Sequence, residues 1–236
     1  MIDRLRTVAL TGSTNSDLLR AAREGAAEGS WLQALEQTGG RGRLGRAWLS
    51  PPGNLYASTL IRVGTAAVPT IAFVAAVALE DAVRHSIGGQ AGQLSIKWPN
   101  DLLLGGAKLA GILVEREGAA VVIGFGVNLA SAPELPDRPT AALGNAEDKV
   151  PTAEALLRSL MASFDRWLQR WREQGFAPVR ARWLARAHPE GATLTASLPD
   201  GDRIAGTFAG LEDDGGLRLR VDGGMQIIRA ADVVLA

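Results

Sequence analysis

Two short runs in this sequence bring together side chains that could share a reaction. Lys97-Trp98-Pro99-Asn100-Asp101 ends in a carboxylate, and Lys108-Leu109-Ala110-Gly111-Ile112-Leu113-Val114-Glu115 begins with an ammonium. Leu102 to Ala107 lies between them and reads as a hairpin with Gly105-Gly106 at its tip. A hairpin folds Asp101 back toward Lys108. One outcome is an ordinary cross-strand ion pair, worth only ~0.2–1 kcal/mol. The other is a cation-binding carboxylate beside a lysine that polarises a reacting oxygen.

A second run is Gly40-Arg41-Gly42-Arg43-Leu44-Gly45-Arg46. It matches the glycine spacing of a dinucleotide-binding turn, which also requires a helix to start there. Ala47-Trp48-Leu49-Ser50-Pro51-Pro52-Gly53 follows instead, which excludes that reading. What is left is a glycine-rich loop with three guanidiniums and no acid among them. It is either a solvated surface loop or a clamp for a phosphate or carboxylate, whose oxygens match the arginine fork.

The elements that must position these runs follow from periodicity and turn chemistry. Ser13-Thr14-Asn15 ahead of Leu18, Leu19 and Ala22 predicts a capped helix over about 14–25. Trp31 to Gln37, Leu55 to Val63, Leu94 to Trp98, Leu109 to Glu117 and Ala120 to Leu129 read as strands, and 38–53 and 130–150 as loops. Val68 to Ile87 reads as a largely buried helix. Thr152 caps a further helix bearing Leu156, Leu160, Phe164, Trp167 and Trp171, and 176–187 adds another. Beyond Pro189 short alternating runs, separated by Pro199-Asp200-Gly201, Asp213-Asp214-Gly215-Gly216 and Asp222-Gly223-Gly224, predict a small antiparallel barrel. The division expected is a catalytic domain of residues 1–188 and a separate barrel of residues 189–236. The fold class is α+β, a mixed sheet with packed helices.

Composition narrows the function. Lys plus Arg and Asp plus Glu are 25 each among 236 residues, so nothing in the bulk charge favours a nucleic-acid partner. Cysteine is absent and there are 2 histidines, which removes thiolate chemistry and a histidine-rich zinc site. Both His85 and His188 are read as structural, as are Trp98, Trp167, Trp171 and Trp183. Met1 to Arg6 lacks a signal-peptide run, and the apolar stretch Val68 to Leu79 is too short for a membrane span. A cytoplasmic enzyme that engages no membrane is the expectation. A two-fold homodimer is the general prior for such enzymes, though no interface is legible.

Taken in order, five motifs resemble the biotin–protein ligase family. They are Ser13-Thr14-Asn15; Gln37 with the Gly40–Arg46 loop and Trp48; Lys97-Trp98-Pro99-Asn100-Asp101; Lys108-Leu109-Ala110-Gly111-Ile112-Leu113; and Gly124-Phe125-Gly126-Val127-Asn128. The resemblance implies a class II synthetase-like catalytic fold with an SH3-like C-terminal barrel. It also implies that biotin and ATP give biotinyl-AMP, which acylates a lysine of a biotin carboxyl carrier protein. Ser13, Thr14, Asn15, Gln37, Gly40, Arg41, Arg43, Lys108, Gly111 and Gly124 would then bind biotin. Arg43, Arg46, Trp48, Lys97, Asn100, Asp101 and Asn128 would bind ATP, with Asp101 on Mg2+ and Lys108 and Arg43 in the catalytic roles. No DNA-binding segment fits ahead of Gly12, which implies the short form. Leu44 stands where some relatives carry another arginine. The rival expectations are a lipoate or other short-acid ligase of the same fold, and a non-catalytic sensor of biotin or an adenylate.

Overall fold

The structure is a computed structural model that describes residues 4–136, 138–145 and 150–235. Met1 to Asp3, and the 146–149 part of the loop expected over 130–150, lie outside the described residues. Among the described residues, twelve strands and four α-helices follow one another as β1 Leu5–Thr11, α1 Thr14–Arg23, β2 Trp31–Gln37, β3 Leu55–Arg62, α2 Val68–Ile87, β4 Leu94–Lys97, β5 Asp101–Leu104, β6 Ala107–Glu117, β7 Ala120–Val127, α3 Ala153–Gln174, α4 Ala177–Leu184, β8 Thr193–Ser197, β9 Arg203–Leu211, β10 Leu217–Val221, β11 Gly224–Ile228 and β12 Asp232–Leu235. Strands β1 to β7 form one sheet in the order β1-β2-β3-β7-β6-β5-β4, and β8 to β12 form a second in the order β11-β10-β9-β8-β12. In the first sheet β1 and β2 run parallel and the other pairs antiparallel.

The large sheet has two different faces because side chains alternate along a strand. On β7, Val121, Ile123, Phe125 and Val127 point into the main core with α2, α3 and α4. Ala120 and Val122 point the other way, into a small core under α1 with Leu18, Leu32 and Leu60. The same alternation leaves Ser58 of β3, Gly124 and Gly126 of β7, and Gly111, Leu113 and Glu115 of β6 on the α1 face. The register sets Gly111 opposite Gly126 and Leu113 opposite Gly124.

Helix α2 is long and apolar enough to cross a membrane, but it is the central core helix, packed against α3, α4 and the sheet. Its one fully buried acid, Glu80, is paired with Arg84 of its own helix at 2.5 Å and with Arg182 of α4 at 2.8 Å. That pairing satisfies a carboxylate that would otherwise be costly to bury. The core continues from Phe73 and Trp183 into Phe208, Leu211 and Leu217 of the second sheet, so the two sheets share one apolar interior. The indole N–H of buried Trp98 donates to Gly215 O at 3.1 Å, fastening the β4–β5 turn to the β9–β10 turn. Trp167 and Trp171 are partly buried against the core and donate to Asp81 and Thr70. His188 is buried against Phe208.

Candidate active site

The α1 face of the sheet carries a cavity of about 300 Å³. The start of α1 forms one wall. Ser13 caps the helix by accepting from Ser16 N, and the same residue borders the cavity, so capping and lining coexist. Thr14 and Asn15 follow, both buried. Gln37, at the end of β2, accepts the Thr14 backbone N–H on its Oε1 at 2.8 Å and donates from Nε2 to Ser50 Oγ at 3.1 Å.

The floor is strands β6 and β7, and its glycines make room for other site residues. A Cβ on Gly124 would sit 2.3 Å from Asn15 Oδ1, and one on Gly126 would sit 2.5 Å from Trp48 Cε2. One on Gly111 would lie 3.0 Å from Trp48 Cζ3, and one on Gly40 would lie 2.5 Å from Trp48 O. Trp48 therefore lies flat over a strip without side chains, with Lys108 Nζ 5.6 Å from its ring centre. The chain spends these glycines on seating Asn15 and Trp48. Close approach of a ligand to the backbone is not needed to explain them.

The predicted hairpin forms, and Gly105 and Gly106 both take positive φ at its tip, at 58° and 82°. A register shift between Leu102 and Leu103 then places Lys108 and Gly111 on one face, so a Cβ on Gly111 would lie 3.5 Å from Lys108 Nζ. Lys108 Nζ bonds Asp101 Oδ1 at 2.7 Å, and Lys97 Nζ lies 3.4 Å from Asp101 Oδ2. Burial works against the Asp101 charge, but Lys108 and Lys97 outweigh it and hold the carboxyl below its usual range. Burial draws the Lys108 ammonium down, against the pull of Asp101, and the cations Lys97 and Arg138 draw it the same way.

The arginine loop is not left uncompensated. Arg41 pairs with Glu115 at 3.0 Å and Arg46 with Asp232 at 2.8 Å. Arg43 donates to Asn100 Oδ1 at 3.4 Å and to Ala231 O at 3.2 Å, so the loop is fastened to the start of β12. Burial lowers the Arg43 guanidinium, opposed by Asp232 and Asp101. Leu44, at the loop's tip, takes φ 56° and is exposed.

Of the sequence-predicted residues, Ser13, Thr14, Asn15, Gln37, Arg41, Arg43, Arg46, Trp48, Asn100, Lys108, Gly111, Gly124 and Asn128 line this cavity. Gly40, Lys97 and Asp101 do not. Gly40 packs under Trp48, and Lys97 turns to Val233 O at 3.0 Å. Asp101 stands behind Lys108, each oxygen facing an ammonium, so it orients that lysine and offers no free oxygen to a metal ion. Sequence reasoning missed Ser58, Gly126, Glu115 and Asp232, and it missed the segment of Pro133, Leu135, Arg138 and Thr140 that forms another wall. Glu115 closed a recognised motif, and Thr140 is placed by a bridge to Lys108 that no local pattern announces.

A cavity with neutral hydrogen-bonding groups at one end and clustered cations at the other defines a binder of a small acid and a phosphate-bearing partner. Residues 9–128 match the biotin/lipoate A/B protein ligase family and residues 196–236 match the biotin protein ligase C terminal domain. The chain is 40% identical, over 96% of its length and 98% of the relative's, to the biotin--[acetyl-CoA-carboxylase] ligase of Paracoccus denitrificans. It is 35% identical, over 98% and 88%, to the enzyme of the same name from Mycobacterium tuberculosis. The fold is that of the Aquifex aeolicus biotin protein ligase in complex with biotin and ATP, with TM-score 0.85, 24% identity and coverage of 100% and 99%. It also resembles the Leishmania major biotin protein ligase in complex with biotinyl-5-AMP, with TM-score 0.64, 27% identity and coverage of 98% and 100%. This chain belongs to the biotin/lipoate A/B protein ligase family.

Proposed function

We propose that this chain is an ATP-dependent biotin–[acetyl-CoA-carboxylase] ligase acting in the cytoplasm, with the division of labour that follows. Biotin's carboxylate oxygen attacks the α-phosphorus of ATP as the bond to pyrophosphate breaks, giving biotinyl-AMP. A lysine amine of the carboxylase's carrier domain then attacks the acyl carbon, and AMP leaves. The observation that carries this reading is that the neutral set Ser13, Thr14, Asn15 and Gln37 shares one cavity with the cations Lys108, Arg43 and Arg46. A neutral planar ureido head needs a few placed donors and acceptors, and the reacting end needs charge neutralisation and alignment.

Lys108 faces the oxygens on which charge grows in both half-reactions, and Asp101 holds it there. Arg43 and Arg46 meet the phosphates once Asp232 and Ala231 release them. Trp48 offers its face to adenine, and Asn100 and Asn128 border the nucleotide end. Mg2+ enters as the counter-ion that ATP brings, supplying charge neutralisation on the phosphates. Among the described residues there is no group of three His, Cys, Asp or Glu side chains, and Asp101 already faces two ammonium groups. With both its oxygens on lysines, Asp101 does not fit the role of a Mg2+ ligand.

The test is pyrophosphate release on mixing the protein with Mg-ATP and either biotin or lipoate, followed by mass measurement of a carrier domain. Release with biotin and a biotin-sized gain on one lysine is the expected result. Turnover with lipoate alone would move the assignment to the rival ligase. Tight biotin binding without pyrophosphate release would make the chain a sensor.

A further inference from the structure

The wall of Pro133, Leu135, Arg138 and Thr140 belongs to none of the recognised motifs, and it brings one further cation to the cavity. Its backbone is fixed to β6 at Lys108. The Lys108 N–H donates to Pro139 O at 2.9 Å, and the Ala141 N–H donates to Lys108 O at 2.9 Å. Asn128 Nδ2 donates to Ala141 O at 3.1 Å, and the Thr140 hydroxyl donates back to Pro133 O. Leu135 and Arg138 pair across the loop closed in this way. The place of Arg138 is therefore set by bonds to the same residue whose ammonium lines the cavity, and Arg138 lines it too. The cations of the cavity then fall into two sets. Arg43 and Arg46 come from the glycine-rich loop, and Arg46 is the like charge that acts on Arg43. Lys108 and Arg138 come from β6 and the loop annealed to it, and Arg138 joins Lys97 as a like charge acting on Lys108. Among the described residues no carboxylate lines the cavity, since Asp101 meets Lys108 from behind. Two cations held on one wall repel, and an anion entering the cavity relieves both at once.

We propose that Arg138 is a substrate-binding residue that takes biotin's carboxylate together with Lys108, leaving Arg43 and Arg46 to the phosphates of ATP. The proposal rests on the biotin reading, in which these are the two anions that must meet. The attacking carboxylate and the phosphate chain are then held by separate sets of cations, one on the β6 wall and one on the glycine-rich loop. Displacement at phosphorus needs the two aligned, and separate holders fix each without competing for the other. The arginine fork adds what the ammonium lacks. Its donors lie in one plane, so it orients a carboxylate as well as neutralising it. The backbone bonds from Lys108 to Pro139 and Ala141 keep the two cations at a set spacing, so the carboxylate meets both in one place.

The experiment compares equilibrium binding of biotin and of biotinamide, its neutral amide, in the absence of ATP. Wild type, Arg138→Gln, Arg138→Leu and Arg138→Lys are measured, with thermal midpoints to confirm folding. Arg138 is only half-buried and its backbone bonds survive substitution, and the two neutral replacements serve for each other if one folds poorly. In Arg138→Gln biotin should weaken by about tenfold, the scale of one charge-assisted hydrogen bond, while biotinamide binds as it does to wild type. Arg138→Lys should recover part of that loss, since it restores the charge without the fork. In turnover the KM for biotin should rise by a similar factor and the KM for ATP should stay unchanged. If a folded neutral variant weakens both ligands by one common factor, or changes neither, the assignment is wrong. A raised KM for ATP with the preference for biotin over biotinamide intact would also overturn it, because Arg138 would then serve the nucleotide. A wild-type protein that binds neither ligand would instead overturn the proposed function, a separate result.

Discussion

Lys108 Nζ and Asp101 Oδ1 lie 2.7 Å apart across the β5–β6 hairpin, with the carboxylate buried outside the cavity lining and the ammonium within it. The pair is a supported cation: Asp101 offsets the burial penalty on Lys108 and holds it at the cavity wall. Lys108→Ala is expected to slow both adenylate formation and transfer by ~10²–10³ while biotin still binds weakly. Lys108→Arg should rescue only in part, because the fork is larger and its charge delocalised. Single-turnover rates for each half-reaction check this; a near-wild-type rate in Lys108→Ala would remove the lysine from the chemistry.

The two floor glycines of β7 predict opposite defects. Gly124→Ala pushes its methyl into Asn15, and Gly126→Ala pushes its methyl into Trp48. Forcing an atom into such a space costs roughly 1–3 kcal/mol, or about 5- to 150-fold in affinity. Gly124→Ala should therefore weaken biotin with little change for ATP, and Gly126→Ala should do the reverse. Isothermal titration of each ligand against each variant reads the split. Equal losses for both ligands in both variants would mean the floor has no separate ends.

Local patterns made much of this site legible in the sequence. Ser13 capping α1, the Gly105-Gly106 hairpin and the alternation of β6 and β7 are all short-range signals, and each formed as expected. Strands β1 and β12 were not foreseen. The first is a largely exposed edge strand of seven residues that pairs in parallel with β2, and the second is an edge strand of four residues that pairs with β8. What local reading could not supply was tertiary pairing. Asp232 lies far along the chain from Arg46, and Ser58 from Asn15, yet these contacts fasten the loop and hold the buried Asn15 amide. The arginine loop was read as uncompensated because its counter-charges come from β6 and β12. Gly111 and Gly124 were read as ligand-facing and do line the cavity, but the sequence does not say that Trp48 and Asn15 lie over them.

His188 sets a test of pH dependence. Neither ring nitrogen finds a partner among the described residues, and burial, with Lys97 nearby, brings its pKa down to about 4 from 6.5. A lowered folded-state value means that the stability tied to the neutral ring is complete above pH 6.5 and is lost as the pH falls toward about 4. The loss integrates to about 3 kcal/mol for that drop. His188→Phe should flatten the difference between denaturation midpoints at pH 7 and pH 4.5 relative to wild type. Identical pH profiles for the two proteins would mean the ring is charged, or solvated, in the folded state.

Arg43 and Arg46 fasten the loop of residues 38–52 to the start of β12, through Ala231 O and Asp232. Both arginines and Asp232 are partly exposed, and such pairs are worth only ~0.2–1 kcal/mol each. The loop is thus closed but weakly held, and a ligand phosphate that displaces Asp232 should hold it better, since charge-assisted bonds reach about 1.5–3 kcal/mol. A closed loop keeps water from the mixed anhydride of the adenylate. Arg43→Gly removes both the tether to Ala231 and the bond to Asn100, and leaves a flexible residue in their place. Biotinyl-AMP should then still form but escape, acylating exposed lysines of unrelated proteins. Asp232→Ala should loosen the loop in the free protein, since both Arg43 and Arg46 lose that carboxylate, yet retain the adenylate, because both arginines keep the phosphate. Hydrogen exchange across 38–52, with and without biotin and ATP, reads the fastening, and release of radiolabelled adenylate reads the escape. Slow exchange in the free Asp232→Ala protein would show that the β12 carboxylate does not hold the loop, and an Arg43→Gly enzyme that keeps its adenylate as wild type does would remove the loop from its protective role.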